Sequence, residues 1–230
     1  KVSLLSQGLQ NSNELLLNLA PELERFASGP LSWQFKLDLL LAGEGYTYQA
    51  DLALDLADTE LVLPTPLAKK AGQPGTVFWS SSGSQDNSVI ALTYQDLVFF
   101  DASYVHAQGQ IGRAHLSLGA KENAGFADGF TISANLDKTD FMPWFDLVRQ
   151  QVSQQSDEAG LLPAVTSVKA TVNSLHVTDD IQLDQVQLLL KPETDFWLAD
   201  ISSAQTKGQL KLAKDLMAQG IEANLEFLKL

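Results

Sequence analysis

The sequence predicts a mostly β fold: a long, curved antiparallel sheet, shaped as a groove, a taco or a sandwich, with two short amphipathic helical segments. Three observations predict it. Apolar and polar residues alternate with a period of two over most of the chain, and successive side chains of a strand point to opposite faces. Turn-forming residues separate these stretches. Only two segments have a helical period, which is too few for the crossovers of a parallel α/β sheet.

The alternation is clearest in three segments. From Tyr46 to Leu56 the even positions are apolar, whereas most odd positions are polar. Residues 31–39 and 130–136 repeat the pattern, so each strand has one apolar and one polar face. The apolar positions that we select as candidate lining residues are Trp33, Phe35, Leu37, Leu39, Tyr46, Tyr48, Leu52, Leu54, Leu56, Phe130, Ile132 and Leu136.

Two segments are predicted to be helical. The first covers about residues 13–26, but Pro21 should divide it into two short helical turns. The second begins after Asp140, a residue type that caps helix N-termini, and Pro143 is tolerated in its first turn. Its apolar positions, spaced as on one helix face, are Phe141, Trp144, Phe145, Val148 and Val152.

Several stretches interrupt the strand pattern. Residues 61–67 contain Pro64 and Pro66, each of which removes a ladder donor, so a strand end followed by an extended edge loop is predicted there. Turn chemistry is also predicted at Ser80–Asn87. The polar stretch that precedes Leu161 is the best internal boundary, at residues 153–163, within a chain otherwise interpreted as one segment, 1–230.

The C-terminal third contains two phase slips. The apolar phase of residues 168–172 gives way to that of Leu175 and Val177, and the phase of residues 181–183 gives way to that of 186–190. A slip of one residue turns all later side chains to the other face, so each slip predicts a bulge, a turn or a new strand.

Composition excludes some partners. The chain holds 15 Lys+Arg against 28 Asp+Glu, a net charge of -13, which disfavours nucleic acid and a polybasic contact with anionic lipid. It has no cysteine, so disulfides, thiolate nucleophiles and Cys-ligated zinc are excluded. It also shows neither a spanning apolar run nor a signal peptide, and both ends fall within alternating stretches, so we expect a piece of a larger protein.

The sequence contains no motif that indicates catalysis, a metal or a cofactor. His106, His115 and His176 have no partner at metal-ligand spacing, and the nucleophile-elbow and nucleotide-binding motifs are missing. Asp179–Asp180 and Asp86–Asn87 lack the ligand spacing of a calcium loop and are typical of solvated turns. We therefore expect a protein that is not an enzyme, unless His106 or His115 lies beside a carboxylate in a cleft.

The apolar stripes allow more than one interpretation. They indicate either the filled core of a closed sandwich or an exposed trough for a hydrophobic ligand, and periodicity does not separate the two. A carbohydrate-binding module is a third possibility, for which only Trp197, out of phase with Phe196 and Leu198, is suitably placed.

The order of several short motifs resembles the YhdP branch of the AsmA-like family of Gram-negative envelope proteins. Residues 61–72 resemble its L-P-x-P-L-x-K-x-A-G element, although Lys70 stands where members often carry a second proline. Residues 129–145 resemble its strand leading into a short helix with an aspartate and aromatic residues at the start. Further matches lie at 162–172, 184–188, 196–198 and 208–210, so the resemblance extends over roughly residues 31–230, in order.

The resemblance implies a function. The family's proposed role is to move phospholipids between inner and outer membranes along an apolar β-groove, in a periplasmic protein anchored in the inner membrane. This chain would then be an internal segment whose partners are phospholipid acyl chains and neighbouring segments of the same parent, with no nucleic acid and no soluble cofactor. The twelve lining residues would form the groove, and Phe141, Trp144, Phe145 and Val148 would make the second helix a cap or plug. The alternative is a closed β-sandwich that acts as a scaffold or assembly factor for outer-membrane biogenesis.

Overall fold

A computed structural model describes residues 1–19, 21–43, 45–122, 129–154, 162–213 and 220–229, without the side chains of residues 18, 19, 21–23, 148–154 and 221. The strands are β1 (Val2–Asn11), β2 (Ala27–Ser28), β3 (Pro30–Ala42), β4 (Gly45–Asp55), β5 (Glu60–Leu61), β6 (Thr76–Ser84), β7 (Asn87–Tyr94), β8 (Val98–Val105), β9 (Gln110–Leu118), β10 (Gly129–Asp140), β11 (Val165–Thr178), β12 (Ile181–Pro192), β13 (Phe196–Ser202), β14 (Thr206–Ala213) and β15 (Ile221–Leu228). The helices are α1 (Ser12–Leu19), α2 (Phe141–Gln154) and two 3₁₀ helices (Pro21–Phe26 and His106–Gln108).

Thirteen of these strands form one sheet, in the order β1-β3-β4-β6-β7-β8-β9-β10-β11-β12-β13-β14-β15. The strands of this sheet follow one another in chain order, and short turns join antiparallel neighbours such as β6, β7 and β8. The sheet is not closed into a barrel, since β1 and β15 lie at its two edges. The predicted fold class, mostly β with a long and mainly antiparallel sheet and two short helices, is confirmed.

Strand β10 is the exception to the antiparallel order. It pairs in parallel with both β9 and β11. A parallel pair needs a connection that returns the chain to the end of the sheet where the previous strand began. Residues 119–128 separate β9 from β10 in the chain, and α2 and the residues up to 164 separate β10 from β11. The predicted internal boundary at 153–163 falls mostly on residues 155–161, which lie outside the described residues.

The two helical segments form where the sequence predicts them. Helix α1 ends at Leu19, and Pro21 begins a separate 3₁₀ helix, so the proline divides the segment as expected. Helix α2 begins at Phe141, directly after Asp140.

Residues 56–75, which we call the strap, join β4 to β6 and pass over one face of the sheet. This differs from the predicted edge loop. Leu67 packs with residues of strands β9 to β12 in one buried cluster, although it follows β4 in the chain. Within the strap, β5 pairs with β2 in a separate two-stranded sheet, which ends at Leu61 before the two prolines. The strap is therefore part of the core.

The two predicted phase slips correspond to one irregularity, which β10, β11 and β12 share at the same level of the sheet. The pairs Val172–Val186 and Ser174–Asp184 keep one register in β11 and β12, and β10 keeps its register with β11 over the same level. Leu183 and Val186 nevertheless belong to the same buried cluster, with Gln185 between them at a φ of 55°. The side-chain phase changes at the same level in all three strands. The residue pairs between the strands are therefore preserved, although the side chains beyond this level point to the opposite face.

Candidate functional site

One face of the sheet carries apolar side chains in rows that run across the strands. Along each strand every second side chain points to the same face, and the antiparallel register places these residues opposite one another from β3 to β9. One row consists of Trp33, Leu54, Val77, Tyr94, Val98 and Leu118. The next consists of Phe35, Leu52, Trp79, Leu92, Phe100 and Leu116. We call this side of the sheet the apolar face.

The parity continues beyond β9 to the other edge. Ile132 of β10 pairs with Leu116 and Val168, and Val168 in turn pairs with Leu190 of β12. Leu190 pairs with Ala199, and Ala199 with Leu210, so apolar side chains occupy the same face as far as β14. The apolar face therefore spans almost the whole sheet.

The predicted lining residues all map to this face, but their exposure differs. Leu56, Phe130 and Leu136 are buried in core clusters. Tyr46 is 37% exposed. The others are half-buried: Trp33, Phe35, Leu37, Leu39, Tyr48, Leu52, Leu54 and Ile132. Half-buried side chains of this size present apolar surface to whatever lies over the sheet.

The strap and its neighbours close the apolar face at one end of the strands. Leu31, Leu56 and Tyr94 form a buried cluster there, against which Leu61 of the strap packs. Farther along the same margin, Leu67 packs with Leu118, Leu136, Val172, Leu183 and Val186. This closed margin, which we call the strap end, extends from β3 to β12.

A buried lysine holds the strap in shape. The ammonium of Lys69 donates hydrogen bonds to the carbonyl oxygens of Thr59 (2.7 Å), Lys70 (3.1 Å) and Ala57 (3.2 Å). Lys69 is only 5% exposed, and three N–H donors matched to three acceptors satisfy a charge that would otherwise be costly to bury. A Cβ on Gly75 would lie 2.7 Å from Lys69 Cε, so any side chain at position 75 would displace the lysine.

Helix α2 is joined to the strap by hydrogen bonds. The indole Nε1 of Trp144 donates to Thr139 Oγ1 (2.8 Å) and lies 3.3 Å from the Thr65 carbonyl oxygen, which also accepts from Thr139 Oγ1 (2.6 Å). Trp144 packs against the cluster that contains Leu67. Phe141 and Phe145 stack on each other, and the side chain of Val148 lies outside the described residues.

The opposite end of the strands carries polar groups on the apolar face. The Tyr48 hydroxyl lies 2.8 Å from Ser81 Oγ and 2.5 Å from Ser88 Oγ, and Ser88 Oγ lies 2.7 Å from His106 Nε2. The rings of Tyr104 and His106 meet edge to face. Sequence reasoning missed this group because His106 was considered alone, although Ser81 and Ser88 share the parity of the apolar residues.

The side of the sheet opposite the apolar face, which we call the polar face, carries charged side chains and a concavity. Asp38 accepts a hydrogen bond from Ser3 Oγ (2.5 Å) and lies 3.0 Å from Lys36 Nζ and 3.2 Å from Lys1 Nζ. The Ser3 hydrogen bond, followed by the two lysines, holds the pKa of the Asp38 carboxyl far below its usual range. A concavity of ≈ 700 Å³ over β11 to β15 is lined mainly by this face, including Lys169, Asp200 and Gln209. Most of the residues that line it are polar or charged.

The other candidate residues of the sequence have structural settings. His115 lies between Thr131 Oγ1 (2.7 Å) and Ser133 Oγ (3.3 Å), beside hydroxyls rather than a carboxylate. His176 Nδ1 lies 3.7 Å from Asp140 Oδ1. Trp197 pairs with Pro192 and Leu212 on the apolar face, which corrects its expected place on the polar phase.

Two classes of feature are missing from the described part of the chain. Its His, Asp and Glu residues form no group of three that would hold a metal ion. None of its helices combines the length and apolar character that crossing a membrane requires.

Comparison with protein families gives one result for the whole chain. The family described as YhdP protein matches residues 1–230. Comparisons with curated proteins and with solved structures give no match.

Proposed function

Because the chain belongs to the YhdP protein family, we propose that its apolar face binds phospholipid acyl chains and conducts them between the inner and outer membranes of a Gram-negative envelope. In this proposal the chain is a periplasmic segment of a parent anchored in the inner membrane. It supports the lipid balance of the outer membrane without a catalytic step.

One observation carries the proposal: large apolar side chains lie in register across the sheet and are left half-exposed. The residues that the structure describes include only one further sheet, the two-stranded pair of β2 and β5, which cannot cover a thirteen-stranded one. A closed sandwich would bury these rows against a second layer of similar size. The exposed apolar area therefore favours a ligand that is itself apolar.

The energetics of lipid movement suit such a surface. Each methylene group exposed to water costs about 0.8 kcal/mol, so an acyl chain of about sixteen carbons faces a barrier on the order of 10 kcal/mol without cover. Continuous apolar rows lower that barrier. Because the hydrophobic effect is not directional, they bind an acyl chain without fixing it at one position.

Photo-crosslinking tests the proposal. A photoreactive residue is placed singly at Phe35, Leu37 or Leu54 on the apolar face, or at Thr47 on the polar face, in the full-length parent in bacterial cells. Mass spectrometry then identifies attached lipid. We expect phospholipid adducts at the first three positions and none at Thr47.

The absence of lipid adducts at all four positions in a folded protein would contradict the proposal. It would favour the second candidate, a scaffold for outer-membrane assembly, which the buried clusters around Leu67 and Phe130 also suit.

A further inference from the structure

The polar groups on the apolar face between β4 and β8 lie at one end of it. Tyr48, Ser88 and Tyr104 occupy one row, opposite one another through the register of these strands. Ser81 stands in the adjacent row, and His106 follows β8 directly. We call these five residues the rim cluster. The strap closes the opposite end of the same strands, so the face has a polar end and a closed apolar end.

The hydrogen bonds within the rim cluster orient the imidazole. Ser81 and Ser88 are 5% and 4% exposed, so each hydroxyl must use a protein partner. If Ser81 donates to Tyr48, Tyr48 to Ser88, and Ser88 to His106 Nε2, every buried hydroxyl proton is satisfied. Nε2 then accepts, and the ring proton is carried by Nδ1.

This arrangement leaves donors for a ligand. His106 and Tyr104 are half-buried, and neither Nδ1 of His106 nor the Tyr104 hydroxyl forms a hydrogen bond with another described side chain. Tyr46, whose ring lies 6.5 Å from that of Tyr48, adds a third donor, its hydroxyl, at the same end. Tyrosine is favoured where an apolar phase meets a polar one, since its ring suits the first and its hydroxyl the second.

We propose that the rim cluster is a phospholipid headgroup site, in which His106 Nδ1 and the Tyr104 hydroxyl donate to the phosphate while the acyl chains extend along the apolar face towards the strap end. This inference rests on the proposed function and adds to it an orientation and a position for the lipid. Tyr48, Ser81 and Ser88 are positioning residues, because they hold the imidazole rather than contact the phosphate.

The depth of the apolar face fits one lipid. Tyr48 and Leu54 lie on the same side of β4, and the strand between them is about 20 Å long at ~3.3 Å per residue. The acyl chains of one leaflet occupy about half of a hydrocarbon core that is ~30 Å thick, or roughly 15 Å. A headgroup at Tyr48 therefore places the chain ends near Leu54 and the strap.

The negative net charge of the chain favours a zwitterionic headgroup over an anionic one. The chain carries a net charge of -13, and Asp86 lies beside the cluster, where its carbonyl accepts the His106 backbone N–H at 3.0 Å. An acidic chain repels an anionic lipid more than a zwitterionic one such as phosphatidylethanolamine, whose phosphate the imidazole and hydroxyl bind.

Two photoreactive phosphatidylethanolamines test the orientation on the unmodified chain. One carries the reactive group on the headgroup and the other at the end of an acyl chain, and fragment-ion mass spectrometry locates the adducts. We expect the headgroup probe on Tyr46, Tyr104 and His106, and the chain-end probe on Leu54, Val77 or Leu67. If each probe labelled the rim cluster and the strap end of the apolar face equally, the headgroup site would be overturned, although lipid binding would still stand. Failure of both probes to label would contradict the proposed function as well.

Substitutions separate recognition from packing. Tyr48→Phe keeps the ring but removes the hydroxyl that links Ser81 to Ser88, and His106→Phe keeps a ring against Tyr104 but removes both nitrogens. Each should lower headgroup labelling by about tenfold or more, the loss expected for a hydrogen bond to a charged group, without lowering chain-end labelling. Tyr94→Phe is the matched control, because Tyr94 lies on the same face at the strap end. A parallel loss of both labels, or no loss, would contradict the assignment.

Inorganic phosphate distinguishes a lipid site from an anion site. An excess of phosphate supplies the anion without acyl chains, so headgroup labelling should stay unchanged if the chains hold the lipid in place. Displacement of the headgroup probe by phosphate would show that the cluster binds free anions and would overturn the lipid assignment.

Discussion

Replacing Leu67 with alanine tests whether the strap is a packed part of the fold. Leu67 is 8% exposed and contacts a cluster formed by residues of four strands. The change removes three carbon atoms, worth about 2.4 kcal/mol at ~0.8 kcal/mol each if the strap collapses onto the sheet. A cavity that stays open raises the cost towards ~5 kcal/mol. Because the strap is a loop and is able to relax, we expect about 2.5–3.5 kcal/mol.

Urea unfolding monitored by tryptophan fluorescence measures this loss. The unfolding midpoint should fall while the slope of the free energy against urea is unchanged. Val62→Ala is the matched control, since Val62 belongs to the same strap but is 63% exposed, and it should cost less than ~0.5 kcal/mol. A loss below about 1 kcal/mol for Leu67→Ala would refute the conclusion that the strap is packed on the apolar face.

Three further predictions follow from single residues. Lys69→Met leaves three carbonyl oxygens without their donor and should lower the free energy of unfolding by about 2 kcal/mol or more. Lys70→Met, at the exposed neighbouring residue, should not lower it. Equal effects of the two substitutions in urea unfolding would contradict the stabilising role of the Lys69 hydrogen bonds. Gly119→Ala should cost at least about 2 kcal/mol, because φ is +85° and the new Cβ would lie 1.9 Å from a carbonyl oxygen; a neutral effect would show that this turn is not built as described. Asp38→Asn should lower the melting temperature at pH 7. The difference should start to shrink as the pH falls below about 4, the ordinary carboxyl pKa, and should vanish only below the lowered pKa of the folded state, because the contribution is lost as the folded carboxylate is protonated; a constant difference would argue against the contacts of Asp38.

The regular part of the fold could be predicted from alternation alone. A period of two fixes which side chains share a face, so the rows that contain Trp33, Leu54 and Ile132 follow from the sequence. The division of the first helical segment at Pro21 also follows from local chemistry, because proline cannot continue a helix.

Long-range features could not be predicted in this way. Alternation does not show that Leu67 crosses the sheet to reach β12, because that contact depends on the path of the strap in space. The predicted turn at Ser80–Asn87 was too long, since β6 continues to Ser84 and only the end of the stretch turns. Its serines have poor strand propensity, but the ladders on both sides hold them extended.

The candidate site was predicted in its apolar part and missed in its polar part. The lining residues were chosen by parity, and parity is independent of tertiary structure. The rim cluster depends on the register of four strands, which brings Tyr48 to Ser88 although the two residues are far apart in the chain. The phase slips predicted bulges but not their alignment in β10, β11 and β12.

Quenching of the intrinsic tryptophan fluorescence by brominated phospholipids tests the central claim most directly. Three of the four tryptophans, Trp33, Trp79 and Trp197, lie on the apolar face, and the fourth, Trp144, packs against its buried cluster from α2. Acyl chains bound there bring bromine close to the indoles without any change to the protein. We expect chain-brominated phosphatidylethanolamine to quench the fluorescence strongly relative to the unbrominated lipid at the same concentration. Equal fluorescence with the two lipids would contradict the claim that the apolar face holds acyl chains.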